Sequence, residues 1–276
     1  MKKIFIAAVC CMAMLAGCQQ AEGIMNPSEE LIMSIEASIG DAARSRYAGD
    51  TPNDVNFTNG DKIGLSVNGG TFYEWEYQNA SWKRADGNIA YWDNKTNKHT
   101  FKAFYPFGKI TSEGAIEMPE LTGQDGTMIS VAARDFLIAQ KDESYATASG
   151  VVSLTFNHVS SLITIKLKGE GDLVGATINQ ITITGNNILT SSTYKFGETA
   201  PVTVAGEQLN TMTLEPNCTI TAGTDKLFYF IFNSGTANLS DVNLTIAYTS
   251  SDKDYTATLN GLGGDDSKFI SGEQHI

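Results

Sequence analysis

The sequence has few cysteines, and three of the four lie within its first 18 residues. Cys218 is the only one in the body of the chain, so no disulfide can form within that body. The fold must therefore be stabilised by buried apolar side chains, and residues 47–276 are enough for two ordinary domains.

Positive charge is also scarce. The chain has 19 lysines and arginines against 31 acidic residues, which gives a net charge of −12. Five acidic and four basic residues precede Tyr47, so the rest of the chain carries −11. This balance argues against nucleic acid or an anionic membrane surface as a partner.

Histidine is rare and dispersed. His99, His158 and His275 are far apart in the sequence, and no metal-spaced cluster contains them. The Gly-x-Ser-x-Gly motif of serine hydrolases is absent as well. We therefore expect no enzyme and no bound cofactor or metal.

A long apolar run occurs only at the N-terminus, where Lys2 and Lys3 precede residues 4–17. A membrane span needs about 20 apolar residues, so residues 1–17 are interpreted as a cleaved secretory signal. The following tetrapeptide, LAGC at 15–18, resembles the lipobox of bacterial lipoproteins. We predict that Cys18 carries the lipid anchor; the alternative is an ordinary signal with a stray cysteine nearby.

The rest of the sequence has the pattern of an all-β protein. Segments such as "VVSLTFNHVSSLITIKLKG" (151–169) and "KLFYFIFNSG" (226–235) are rich in β-branched and aromatic residues and end in turn residues. The segment 240–261 predicts a hairpin that places these residues on one face: Val242, Leu244, Ile246, Tyr248, Tyr255, Ala257 and Leu259. Many short strands separated by turns favour β-sandwiches.

A domain boundary is predicted in the polar stretch "AQKDESYATASG" (139–150), between two apolar segments. This position divides the chain into an N-terminal domain at 47–148 and a C-terminal domain at 149–276.

Apolar and polar residues alternate just ahead of the first predicted domain. The apolar set is Leu31, Met33, Ile35, Ala37 and Ile39, which is the period of a strand with one buried face. A loop-like stretch at 40–54 follows it and contains Arg44 and Arg46, two of only four arginines in the chain. The pattern predicts a strand that cleavage of this loop would make replaceable; two arginines that merely solvate a linker are the alternative.

Several segments resemble, in the same order, the conserved blocks of the fimbrillin family, the subunits of the type V pili of Bacteroidales. They are "NFTNGDKIGLSVNG" (56–69), "HTFKAFYPFG" (99–108), "DFLIAQ" (135–140) and "VVSLTFNHVSSLITIKL" (151–167). The resemblance implies two transthyretin-like, Greek-key β-sandwich domains in tandem. It also implies export as an outer-membrane lipoprotein, cleavage by a trypsin-like, arginine-specific protease, and assembly with other fimbrial subunits into a surface fimbrium.

Carried over to this chain, the resemblance makes Cys18 the palmitate-bearing cysteine and 18–46 a propeptide. Residues 31–39 match the strand that is removed. Arg46 matches the cleaved position and Tyr47 the new N-terminus, with Arg44 as the second choice. The strand of a neighbouring subunit would then fill the vacated groove by donor-strand exchange.

One departure from the family concerns the end "KFISGEQHI" (268–276), where polymerising members continue into further strand sequence. Either this subunit accepts a donor without giving one, as a tip or accessory subunit in adhesion would, or the sequence is truncated.

An alternative function comes from the aromatic residues at 75–92. Trp75, Trp82 and Trp92 are close enough in sequence to suggest a stacking platform for a carbohydrate. The protein would then be a monomeric, surface-exposed glycan-binding or adhesin lipoprotein. Packing within a β-domain is the favoured interpretation, because aromatic residues are ordinary in strands.

Overall fold

The structure is a computed structural model that describes residues 31–40, 56–185, 188–198, 202–205, 210–233, 241–261 and 274–275. Its first elements are β1 Ser34–Ile39, β2 Lys62–Val67, β3 Tyr73–Gln78, β4 Ser81–Arg84, β5 His99–Tyr105, β6 Ile116–Glu117, α1 Met128–Ala132, β7 Leu137–Glu143, α2 Tyr145–Ala148 and β8 Val151–His158. Then follow β9 Ser160–Leu167, β10 Thr177–Thr184, β11 Ser192–Tyr194, β12 Val202–Val204, β13 Thr211–Leu214, β14 Cys218–Thr219, β15 Lys226–Asn233, β16 Asn243–Ser250, β17 Lys253–Asn260 and β18 Gln274–His275. The predicted all-β class is confirmed; the Greek-key order of two tandem domains stays a prediction.

A seven-stranded sheet in the order β1-β8-β7-β5-β2-β3-β4 forms what we call the first unit. Its neighbours pair antiparallel, except that β1 runs parallel to β8. β7 and β8 pair only at Leu137↔His158 and Ile138↔Asn157. Beyond that point β1 and β8 form a layer opposite the other strands, and both layers fill one core.

β8 belongs to the first unit, although the predicted boundary between residues 148 and 149 assigns it to the second. Its inward side chains Val152, Leu154 and Phe156 pack with residues of β2 and β5 in the first core. The alternation in 151–158 shows that one face of the strand is buried, but the same pattern fits either unit. The change of core falls after β8, between His158 and Ser160.

The second unit consists of two sheets around a second core. One sheet has the order β13-β10-β16-β17, with β14 also paired to β10, and the other has the order β15-β9-β18. The predicted hairpin is confirmed as β16 and β17, and a turn at Ser251 and Asp252 joins them. Both turn residues have positive φ, 48° and 60°, as the tight turns of two-residue hairpins require.

The two units are tied together by the chain between β5 and β7. β6 pairs with β11, and the Phe136 and Tyr194 rings lie 5.8 Å apart at the junction. Farther along, Leu121, Met128 and Val131 pack in the second core. The segment from β6 to α1 therefore leaves the first sheet, enters the second unit and returns.

Gln124 holds the segment between β6 and α1 against the second unit by hydrogen bonding to the backbone of β15. Its side-chain amide donates to the Ile231 carbonyl at 2.9 Å and accepts from the Ile231 amide at 2.8 Å. Gln124 is 3% exposed, so these hydrogen bonds replace water that the buried groups have lost. The polar side chain thus acts as a short strand partner for β15.

Close packing in the first unit predicts that Gly64→Ala is destabilising. A Cβ at Gly64 would lie 2.2 Å from Cε1 of Phe104, whose ring is fully buried. We expect the free energy of unfolding to fall by about 1–3 kcal/mol in urea titrations, as overpacked cores do. Gly108→Ala is the control, because its nearest neighbours would be 3.8 Å away; equal losses in both variants would contradict the prediction.

Candidate functional site

The candidate functional site is the place that segment 31–39 occupies between β8 and residues 90–92, which we call the seat of β1. β1 pairs in register with β8, from Ser34↔Val151 to Ile39↔Phe156. Backbone hydrogen bonds continue past both ends, from the Ser34 amide to the Gly150 carbonyl at 3.0 Å and from the Gly40 amide to the Phe156 carbonyl at 2.8 Å. β1 therefore pairs with one edge of β8 from Gly150 to Phe156.

The residues before β1 pair with a different part of the first unit. The Met33 amide donates to the Ala90 carbonyl at 2.9 Å, and the Trp92 amide donates to the Leu31 carbonyl at 2.8 Å. Ile32 and Tyr91 form an antiparallel bridge between them. The segment 31–39 therefore closes the seam between β8 and residues 90–92, which follow β4 in the chain.

Side chains along this segment alternate as predicted. Met33, Ile35 and Ile39 are 5%, 6% and 8% exposed and belong to the first core. Leu31 and Ala37 are partly buried against the same core. The intervening residues face solvent, and there the Glu36 carboxylate accepts a hydrogen bond from Ser153 at 3.3 Å. The segment is thus a structural part of the first core; its removal is the part that stays a prediction.

Gly150 is a contributor that the sequence does not reveal. It follows α2 with φ of 87°, a conformation that favours glycine. Its carbonyl accepts from the Ser34 amide and also from Nε1 of Trp92, at 3.3 Å. The sequence marks this glycine as a turn, but the contact joins segments far apart in the chain, and no local pattern predicts it.

The three tryptophans lie in the core rather than on a surface. Trp75, Trp82 and Trp92 are 5%, 6% and 1% exposed, and all three belong to the same core as Ile35 and Ile39 of β1. Trp92 meets Phe101 edge-on at 5.2 Å. Because nearly all of each ring is buried, the structure gives the carbohydrate platform no support and makes the tryptophans part of the first core.

Cys18, Arg44, Arg46 and Tyr47 lie outside the described residues, so their predicted roles stay predictions. Among the described residues, no group of three or more His, Cys, Asp and Glu side chains could hold a metal ion. His158 pairs with Asp135 at 2.8 Å, and both side chains are buried near the junction of the units. Neither α1 nor α2, the α-helices described, is long and apolar enough to cross a membrane.

A comparison with protein families identifies the relatives of this chain. A model described as fimbrillin-like matches residues 47–276, most of the sequence. The chain belongs to the fimbrillin-like family. The resemblance seen in the ordered sequence blocks is confirmed, and the protein is a pilus or adhesin-like subunit of the cell surface. Its family indicates a structural or adhesive role rather than an enzymatic one, and association with other fimbrial subunits.

Two solved structures with TM-scores above 0.5 share the fold of this fimbrillin-like chain. A candidate cell adhesion protein of Bacteroides uniformis is 17% identical, with a TM-score of 0.58 over 88% of this chain and 90% of that chain. A second, from Bacteroides ovatus, is 15% identical, with a TM-score of 0.58 over 87% and 88%. The fimbrial anchor protein Mfa2 of Porphyromonas gingivalis is 8% identical, with a TM-score of 0.39 over 82% and 81%. A search of curated proteins finds no match.

The burial of β1 predicts that Ile35→Ala lowers the free energy of unfolding by about 2–5 kcal/mol, because the substitution leaves a cavity in the first core. Ile32→Ala is the matched control: Ile32 is 42% exposed, and we expect a change within about 0.5 kcal/mol. Urea unfolding of the full chain measures both variants. Similar small effects would show that β1 does not pack in the core.

Proposed function

We propose that the protein is the precursor of a pilus subunit that exchanges its first strand during assembly. It is exported as an outer-membrane lipoprotein anchored through Cys18. An arginine-specific, trypsin-like protease cleaves after Arg46, residues 18–46 leave, and Tyr47 becomes the N-terminus. A strand from another subunit then takes the seat of β1.

The position of β1 is the observation that supports this proposal. The family match begins at residue 47, yet Met33, Ile35 and Ile39 fill the core of a unit that otherwise lies within the match. Residues 41–55, which contain both arginines, are the covalent connection between β1 and the rest of the fold. A single cut there would turn an internal strand into a separate peptide.

The free energy that β1 gains by burial suits a strand that is held while tethered and can be exchanged after cleavage. Three buried side chains, at about 1.5–3 kcal/mol each, contribute roughly 5–9 kcal/mol before the entropy of ordering the strand is subtracted. While the loop is intact, the high effective concentration of a tethered strand keeps it in place. Cleavage removes that advantage without changing any contact.

Loss of β1 would leave an edge that another chain can repair. The backbone groups of β8 that now bond to β1 would be unpaired beside exposed core side chains, which folded proteins avoid. Strand addition from a second subunit restores both the hydrogen bonds and the buried side chains. Such a contact joins two different surfaces head to tail, and a head-to-tail contact that does not close builds a filament.

A lipid on Cys18 accounts for the early membrane association. A single acyl chain holds a protein only marginally, at about 0.8 kcal/mol for each buried methylene, so stable anchoring requires more than one chain. Release of residues 18–46 would separate the subunit from that anchor. The glycan-binding alternative has no comparable support, because its three tryptophans are buried.

The cleavage site predicts a difference between two neighbouring arginines. We expect Arg46→Ala to abolish the N-terminus at Tyr47 and to reduce a heat-resistant ladder of assembled subunits on gels, because the tethered strand is not released. Arg44→Ala is the matched control and should mature at Tyr47. N-terminal sequencing and the ladder are read in cells that express each variant and the double variant. Normal assembly of the double variant would contradict the proposal.

The lipid anchor predicts a second pair of variants. Cys18→Ala should lose the label when cells are grown with radioactive palmitate, because the acceptor thiol is gone. Cys218→Ala should keep it, since Cys218 is half-buried in the second unit. Label that persists in Cys18→Ala would show that the anchor lies elsewhere.

A further inference from the structure

Two surface pockets have Met33, in the segment 31–39, among their lining residues. One, of about 460 Å³, lies between the β3–β4 hairpin and residues 87–90; the other, of about 410 Å³, extends along β2 and β3. The residues that line both are Met33, Trp75, Arg84, Ile89 and Ala90. Two open spaces therefore adjoin Met33 at this end of the seat, although the residue itself is 5% exposed.

Two residues that line the larger pocket, Trp82 and Arg84, each carry a buried polar atom without a hydrogen-bond partner. These atoms are Nε1 of Trp82 and Nε of Arg84. The guanidinium of Arg84 is held in place by Asp86, at 2.5 Å, and by the Tyr73 ring, 3.9 Å below it. Methionine sulfur is a weak acceptor, so Met33, which precedes β1 and lines this pocket, is poorly suited to either donor.

The other end of the seat is closely packed. Ile35 and Ile39 line neither of the two pockets. A Cβ at Gly40 would lie 2.8 Å from Cγ2 of Thr155 and 2.9 Å from Oδ1 of Asn157, so this position accepts only glycine without rearrangement. The fit of the propeptide strand is therefore close at Gly40 and loose at Met33.

We propose that the strand which replaces β1 carries a tyrosine where Met33 now lies and a glycine where Gly40 now lies. This inference depends on the proposed function and identifies the partner by the chemistry of its strand. The aromatic ring occupies the space around Met33, and its hydroxyl oxygen accepts a hydrogen bond from Trp82 or Arg84. A chain that fills this space binds more tightly than the propeptide, so the exchange runs towards assembly.

The test uses the full chain without its signal, cut after Arg46, and three synthetic peptides of residues 29–42. They carry the native Met33, Met33→Phe or Met33→Tyr, and each competes with the bound propeptide. We expect the tyrosine peptide to bind about tenfold more tightly than the native peptide, because it adds one buried hydrogen bond and further apolar contact. The phenylalanine peptide adds only the apolar contact, so its affinity should lie between the other two. A fourth peptide serves as the control: it carries Ile35→Tyr, at a position that lines neither of the two pockets, and should bind more weakly than the native one.

The outcomes separate the two levels of the proposal. If the native peptide binds as tightly as both aromatic peptides, the inference is overturned while strand exchange stands. If phenylalanine equals tyrosine, the filled pocket is supported and the hydrogen bond is overturned. If no peptide enters, the proposed function fails as well.

A measurement on the uncut chain tests the inference independently of exchange. Met33→Tyr should raise the urea midpoint of the intact protein, and Ile35→Tyr should lower it. A lower midpoint for Met33→Tyr would show that the space around Met33 cannot accept the ring, which overturns the proposal.

Discussion

Closure of the seam between β8 and residues 90–92 is the constraint on which the first unit depends. The segment 31–39 pairs with residues 90–92 through its first three residues and with β8 through β1. Its side chains also complete a core shared by both layers. Because this closing strand comes from outside the part of the chain that matches the family, the fold contains a part that is both necessary for packing and separable by one cut.

The second unit is independent of that strand. None of the residues in the second core comes from β1, and the junction is made instead by β6, the aromatic contact of Phe136 with Tyr194, and Gln124. The proposed exchange in the first unit would therefore leave the second core intact. Such a division suits a subunit that must open one edge without unfolding.

Strand periodicity allowed some elements to be predicted and not others. The alternation in 31–39 and in 243–260 correctly predicts a half-buried strand and a hairpin, since both depend on neighbouring residues. The same alternation in β8 does not tell which core receives its side chains, so the predicted boundary falls before the strand rather than after it. The path of residues 118–131 into the second unit and the two hydrogen bonds of the Gly150 carbonyl depend on residues distant in sequence. No local pattern in a single sequence predicts such contacts.

Hydrogen–deuterium exchange at β8 tests the central claim most directly. In the uncut chain, amides of β8 that bond to β1 should be protected, as should those of β16. After cleavage at Arg46 and removal of residues 18–46, the β8 amides should exchange rapidly while β16 stays protected, and a peptide of residues 29–42 should restore protection. Unchanged protection of β8 after the fragment has left, or loss of protection throughout both units, would contradict the account.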